Sequence, residues 1–221
     1  MMTAADRLFS YFPLMMTVAA FTALGVFAQW PSVFSGLLVF FIIYLLPPMV
    51  QRIMFRWAPL QLGVSQIDGR KFNAWLAAHH IQAFYDALPY LESLLRVIPG
   101  FYSMWLRIWG SRIGYGVVWP VRMDVLDRSL MDIGNRVTFD REVELAAHVR
   151  QKTDGGASRV LVRPVHVGSY AFIGARTRIG PGASVPHNAA VPALSVVDVN
   201  EMYGETKRLH PQREEAQFAL G

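Results

Sequence analysis

The chain contains no cysteine. A disulfide-stapled secreted domain is excluded, and so is a thiolate zinc module. A reducing compartment fits. Charge is scarce too. Asp, Glu, Lys and Arg make up 17% of the 221 residues, against about 25% in ordinary soluble proteins. Hydrophobic residues make up 53%, which excludes an intrinsically disordered chain. The formal charge of +5 and the pI near 9.7 invite a nucleic-acid reading. No block of Lys and Arg stands out, however, so no phosphate-binding footprint is present and no nucleic-acid partner is expected. The length suits one compact domain with an appendage.

Charge is missing altogether between Leu8 and Gln51. A bilayer core needs about 20 apolar residues per helix, so this stretch is long enough for two passes. Trp30-Pro31-Ser32 breaks it. Phe12 to Gln29 is read as the first pass and Val33 to Val50 as the second, which Pro47-Pro48 should end or kink. Residues 1–51 thus form a transmembrane helical hairpin. A cleaved signal peptide and a buried soluble helix pair remain as alternatives. The loop between the passes is uncharged. Arg7 lies on one flank, and Arg52, Arg56, Arg70 and Lys71 on the other. The positive-inside rule then places both flanks in the cytoplasm. The expected location is the inner (cytoplasmic) membrane, with the soluble bulk facing the cytoplasm.

Residues 52–110 are aromatic and periodic. Phe72, Trp75, Leu76, Ala83, Phe84, Leu88, Leu91 and Leu95 recur at three- and four-residue steps, a helix period. Tyr102, Trp105, Leu106 and Trp109 make a further short face. Such amphipathic helices can lie in the membrane interface, or pack on the domain that follows. His79 and His80 are adjacent, so on a helix they point about 100° apart and do not share a ligand direction.

From residue 111 the pattern changes. Val167, Ile173, Ile179, Val185, Val191 and Val197 fall in one column of period six. Two residues before each stands a small or β-branched residue: Val165, Ala171, Thr177, Ala183, Ala189 and Ser195. Gly168, Gly174 and Gly180 follow the first three members. Ile133, Phe139 and Leu145 carry the same beat earlier. Period six belongs to a parallel β-helix, with three short strands per coil and one aliphatic per strand pointing inward. A β-sandwich would space its turns at about 8–12 residues. Glycine is expected to supply unusual backbone angles at the corners. The β-helix is assigned to residues 111–198, followed by a polar C-terminal tail, 199–221.

The run from His166 to Ala183, His-Val-Gly-Ser-Tyr-Ala-Phe-Ile-Gly-Ala-Arg-Thr-Arg-Ile-Gly-Pro-Gly-Ala, resembles the hexapeptide-repeat acyltransferases. The lead-in from Leu106 to Gly114 is similar to that of one subgroup. It comprises colanic-acid-type acetyltransferases and the acyltransferase-like C-terminal domains of polyamide synthetases, and its membrane-anchored members are the best match. The resemblance covers about residues 72–200. It implies a left-handed β-helix, a homotrimer with sites between subunits, and acetyl-CoA or another acyl thioester as co-substrate. No permanently bound cofactor is implied.

The repeat is interrupted once, after Val149, by a polar, glycine-rich segment from Arg150 to Ser158. A loop ejected from a rigid scaffold is a place for function. His148 stands at its base. In the resembled subgroup a histidine at this position deprotonates the acceptor, so the resemblance makes His148 the general base. Imidazoles ordinarily titrate near 6.5 and accept protons at neutral pH. A structural corner residue is the other reading. Asp127, Asp124 and Asp154 are candidate partners for its second nitrogen. Asp127 stands 21 residues earlier, close to one coil of about 18 residues, and the segment Asp127–Gly134 resembles a recurring pattern of the subgroup. Asp127 is therefore the second catalytic candidate. Arg176 and Arg178 fall in the late coils, where the fold resembled holds the donor's pantetheine arm. They are donor-binding candidates, or else solubilising residues. Val199–Gly204 replaces the small turn usual after the last coil, a departure at the donor end. No Gly-x-Ser-x-Gly elbow is present. γ-Type carbonic anhydrases share the solenoid but need a closely spaced histidine pair. Here the solenoid histidines are His148, His166 and His187, so no metal site is expected.

The expected activity is transfer of an acyl group from a thioester to an amphiphilic, lipid-linked or glycan acceptor. The acceptor class follows from the hairpin, which brings the chain to the lipid bilayer. The alternative is a non-catalytic trimeric scaffold for a membrane partner.

Overall fold

The computed structural model describes residues 4–67, 71–152 and 158–204. They divide into two compact units, one of residues 4–60 and 71–89, the other of 61–67 and 90–204.

The first unit is helical. It comprises α1 (Ala4–Ser10), α2 (Phe12–Gln29), α3 (Val33–Phe40), a single π-helical turn (Phe41–Leu45), α4 (Leu46–Trp57) and α5 (Ala74–Ala87). The break between α2 and α3 falls at Trp30–Ser32. There the Ser32 hydroxyl accepts from the Ser35 N–H, and Ser35 reciprocates on the Ser32 N–H. Such a capping box satisfies two donors that the helix start would leave orphaned. The helices Phe12–Gln29 and Val33–Trp57 are each long and apolar enough to cross a membrane, and both leave most of their surface uncovered. Leu14, Phe21, Phe34 and Leu37 are among the exposed side chains.

Pro47-Pro48 does not end the second helix, which continues to Trp57. The π turn absorbs the prolines. The Leu46 N–H reaches back five residues to the Phe41 carbonyl. Pro47 has no N–H to offer the Ile43 carbonyl, and the Tyr85 hydroxyl of α5 donates to it instead, at 2.5 Å. Gln82 of α5 donates to Gln51 of α4 at 2.9 Å, with both side chains buried. Trp75, Ile81, Phe84 and Tyr85 of α5 are buried, and this helix packs on α1, α2 and α4. Its aromatic side is therefore consumed by protein contacts rather than left for a membrane interface.

The second unit begins with a strand, β1 (Gly63–Ile67), where the sequence suggested only helix. Helices α6 (Tyr90–Val97) and α7 (Phe101–Trp109) follow. Glycines in the left-handed region, Gly100 and Gly110, start and stop α7. Tyr102, Trp105, Leu106 and Trp109 are buried, and α7 packs against β2 (Arg112–Ile113), the first strand of the coil.

The remaining strands are β3 (Asp124–Leu126), β4 (Met131–Ile133), β5 (Thr138–Phe139), β6 (Glu144–Ala146), β7 (His148–Lys152), β8 (Ser158–Val162), β9 (Val165–Val167), β10 (Phe172–Ile173), β11 (Arg178–Ile179), β12 (Ser184–Val185), β13 (Ala190–Val191) and β14 (Val196–Val197). Among the described residues there are three parallel sheets, ordered β2-β4-β9-β12, β5-β10-β13 and β3-β6-β11-β14. From β9 onward, successive strands visit the three sheets in rotation, which is a three-sided parallel coil. In the late coils each strand pairs with one 18 residues on, as Val167 with Val185 and Ile179 with Val197. The six aliphatics of the repeat are all buried, each contributing roughly 1.5–3 kcal/mol of transfer free energy.

The glycines act differently from expectation. Gly168 does not carry the unusual backbone angle. A Cβ there would stand 2.5 Å from the His187 nitrogen of the next coil, so glycine is required for close approach. The left-handed residue comes two positions later: Tyr170, Arg176, Gly182, Asn188, Leu194 and Asn200 all have positive φ. Each corner stacks on another, as when the Tyr170 N–H donates to the Asn135 carbonyl and Asn188 to Ser169.

The interruption read after Val149 is an antiparallel hairpin of β7 and β8. β1 adds to its outer side, Gly63 opposite Val162 and Ile67 opposite Ser158. Residues 153–157 at its tip, including Asp154, lie outside the described residues.

Candidate functional site

β3 and β6 lie side by side, with Leu126 opposite Ala146. Asp127 follows β3 immediately, and His148 follows β6 after one buried residue, Ala147. The same corner of two successive coils thus receives both side chains. Nδ1 of His148 and Oδ2 of Asp127 are 2.5 Å apart. The Asp127 side chain is 5% exposed and that of His148 15%. Asp127 takes φ +62°, a left-handed conformation that aspartate tolerates better than most residues.

This geometry assigns the imidazole a tautomer. A carboxylate can only accept, so the neutral ring carries its proton on Nδ1 and its lone pair on Nε2. The other two histidines of the coil are placed otherwise. His187 Nδ1 accepts from the Ser169 N–H at 2.9 Å, which puts the proton of the neutral ring on Nε2. His166 lies 3.2 Å from Asp132, whose same oxygen takes Arg112 at 2.8 Å, and the pair is half-buried. His79 of α5 stacks on Trp75. No cluster of three His, Cys, Asp or Glu suited to a metal exists among the described residues.

Arg176 and Arg178 are engaged elsewhere. Arg176 Nε donates to Glu142 at 2.6 Å, and Arg178 meets Glu144 at 2.8 Å. The hydrogen bond from Arg176, then its charge, holds the Glu142 carboxyl below its usual range. All four are solvent-accessible, so salt screens these pairs. Asp124, the other candidate partner for His148, stands at the start of β3, opposite Glu144 and exposed.

A buried charged cluster behind Asp127 was not anticipated from sequence. Glu92 of α6 accepts from Arg128 Nε at 2.7 Å, and also from Arg128 Nη2. Its other oxygen accepts from the Tyr102 hydroxyl at 2.7 Å and from Arg96 at 2.9 Å. Side chains of Glu92, Arg96 and Arg128 are at most 5% exposed. Burial, with the Glu92 charge behind it, pushes the Tyr102 phenol well above its usual value, which keeps it a donor. The legible signal was Glu92 and Arg96 one turn apart on an apolar helix. Nothing in the sequence linked them to Arg128.

No family model matches the chain, and no curated protein matches it. Among solved structures it is similar to a maltose O-acetyltransferase from Clostridium difficile 630, at 18% identity over 52% of this chain and 75% of that one, with a TM-score of 0.35. It is similar to AntD, an N-acyltransferase from Bacillus cereus solved with dTDP-4-amino-4,6-dideoxyglucose and coenzyme A, at 15% identity over 42% and 75%, TM-score 0.25. A serine acetyltransferase from Neisseria gonorrhoeae matches at 15% identity over 94% and 71%, TM-score 0.26. Likeness at these values does not identify a reaction.

Proposed function

We propose that the chain is a membrane-anchored acyltransferase of the hexapeptide-repeat class, with His148 as general base and Asp127 as its orienting partner. The observation that carries this reading is the short Asp127–His148 hydrogen bond at the foot of the only hairpin ejected from the coil among the described residues. Acceptor O–H or N–H meets Nε2. The acceptor atom attacks the thioester carbonyl as Nε2 takes the proton. The tetrahedral adduct collapses, the C–S bond breaks, and the imidazolium returns the proton to the leaving thiolate. A positioned base of this kind contributes typically 10²–10⁴-fold.

The donor is acetyl-CoA or another acyl thioester, and the acceptor a lipid-linked, glycan or other amphiphilic alcohol or amine. Two long apolar helices with uncovered surfaces support a bilayer location for that acceptor. The basic flanks support a cytoplasmic orientation. For Arg176 and Arg178 to hold donor phosphates they must exchange Glu142 and Glu144 for them. Glu142→Gln should then tighten donor binding severalfold, and an unchanged Kd would remove Arg176 from that role. The coil is taken as left-handed and the assembly as a homotrimer, as in the family resembled. A single-chain mass for the fully active protein by native mass spectrometry would exclude a site shared between subunits.

The reading is tested by incubating detergent-purified protein with acetyl-CoA bearing a heavy-isotope acetyl group and a total membrane-lipid extract. Mass spectrometry should find heavy acetyl on a lipid or glycolipid. Failure of any label to leave the thioester, with acetyl- and longer acyl-CoA alike, would sink the enzymatic reading.

A further inference from the structure

We infer that Glu92, Arg96 and Arg128 form a buried clamp whose task is to set the Asp127 carboxylate on His148, making them positioning residues for the proposed base. The inference rests on the reading of His148 given above. It starts from the problem Asp127 presents. Its backbone sits in the left-handed region, at a turn between β3 and β4, and nothing about a short strand fixes such a residue by itself. The cluster grips the chain on both sides of it. Arg96 Nη1 donates to the carbonyls of Val121 at 3.1 Å and Met123 at 2.9 Å, just ahead of β3. Arg128, the residue after Asp127, is held by Glu92 through two of its nitrogens. The Arg128 carbonyl accepts from the Ser111 hydroxyl at 2.7 Å, and the same hydroxyl accepts from the Met131 N–H at 2.9 Å. The turn itself closes with the Leu130 N–H on the Asp127 carbonyl at 2.9 Å.

β3 and Asp127 are thus strung between two guanidiniums that share one carboxylate. Glu92 is the hub, since one oxygen serves Arg128 and the other serves Arg96 and Tyr102. A planar guanidinium held by two nitrogens fixes direction as well as distance, which a lysine cannot do. Two cations and one anion leave the cluster positive, adjacent in sequence to the carboxylate that must stay in place. A cluster serving stability alone has no need to straddle Asp127. A hydrophobic replacement of a buried ion pair is commonly as stable as the pair itself.

The test reads the hydrogen bond first and the rate second. In histidine-labelled protein in detergent, the proton on His148 Nδ1 should give a far-downfield nuclear magnetic resonance, assigned by its loss in Asp127→Asn. Arg128→Met should lose that signal, or move it upfield, while unfolding remains cooperative. Turnover should fall roughly 10–100-fold, by analogy with the loss of outer partners behind metal-bound histidines, with donor KM unchanged. In a His148→Ala background the same substitution should cost nothing further. The chain has no cysteine, so released CoA thiol can be followed with a thiol reagent free of protein background. If Arg128→Met does not fold, Arg128→Lys, which keeps the charge and loses the fork, is read in the same way. An intact downfield signal in the folded variant overturns the clamp, as does an equal proportional loss in both backgrounds. Should His148→Ala keep full turnover, the base reading falls, and the resonance alone then decides whether the clamp sets the carboxylate.

Discussion

Replacing Asp127 by asparagine keeps the shape of the side chain and reverses what it can tell His148. An amide can donate to Nδ1, which moves the proton of the neutral ring to Nε2 and removes the lone pair the acceptor needs. A wrong tautomer of this kind costs as much as losing the base, so Asp127→Asn should lower turnover by about 10²–10⁴. Donor affinity should hold, because the interaction matters only as the proton moves. Steady-state kinetics of CoA release decide it, and a variant within twofold of the wild type would detach Asp127 from catalysis. The pairing was half legible in the sequence. Asp127 stands 21 residues before His148, about one coil, so the period alone brought them near each other. Its preference over Asp124 came from that spacing and from the resemblance of the segment Asp127–Gly134, whereas the left-handed turn at Asp127 is one that an aspartate does not announce. Glu92 and Arg128 were illegible for another reason. They are 36 residues apart, on a helix and a coil corner, and no periodicity links those elements.

At the scale of elements, Tyr85 repairs a defect that proline creates. With no N–H at Pro47, the Ile43 carbonyl has the Tyr85 hydroxyl for its donor. Tyr85→Phe should destabilise the helical unit by about 1–3 kcal/mol, the cost of an unsatisfied buried polar group. Thermal unfolding in mild detergent, followed by circular dichroism, measures it, and an unchanged midpoint would mean that the carbonyl finds another donor. The prolines were visible in sequence, whereas their accommodation was not, since it needs a residue 42 positions away. The coil was the most legible element because its repeat writes the core column directly, from Val167 to Val197. Its glycines were legible as corners, yet their reason differs. Gly168 is small because His187 of the next coil lies against it, a contact between coils that a single repeat does not contain. β1 was missed outright, because five residues, Gly-Val-Ser-Gln-Ile, carry too little alternation to mark a strand, and its partner β8 lies 95 residues on.

For the whole molecule, the hairpin reading makes a directional prediction. On that reading both flanks of the hairpin should face the cytoplasm and the Trp30 turn should face outward. With no native cysteine, single replacements report cleanly. A membrane-impermeant maleimide on intact cells should label Ser32→Cys and spare Ser158→Cys, and the reverse pattern would separate His148 from cytoplasmic thioesters. The central claim is that the Asp127–His148 pair moves a proton during acyl transfer. Its most direct measurement is the rate and pH dependence of CoA release by purified wild type and His148→Ala, with lipid extract as acceptor. The account predicts a loss of roughly 10²–10⁴ in turnover, donor affinity held, and disappearance of the acid limb that a protonatable base creates. Equal turnover in the two proteins, with the acid limb intact, would contradict it.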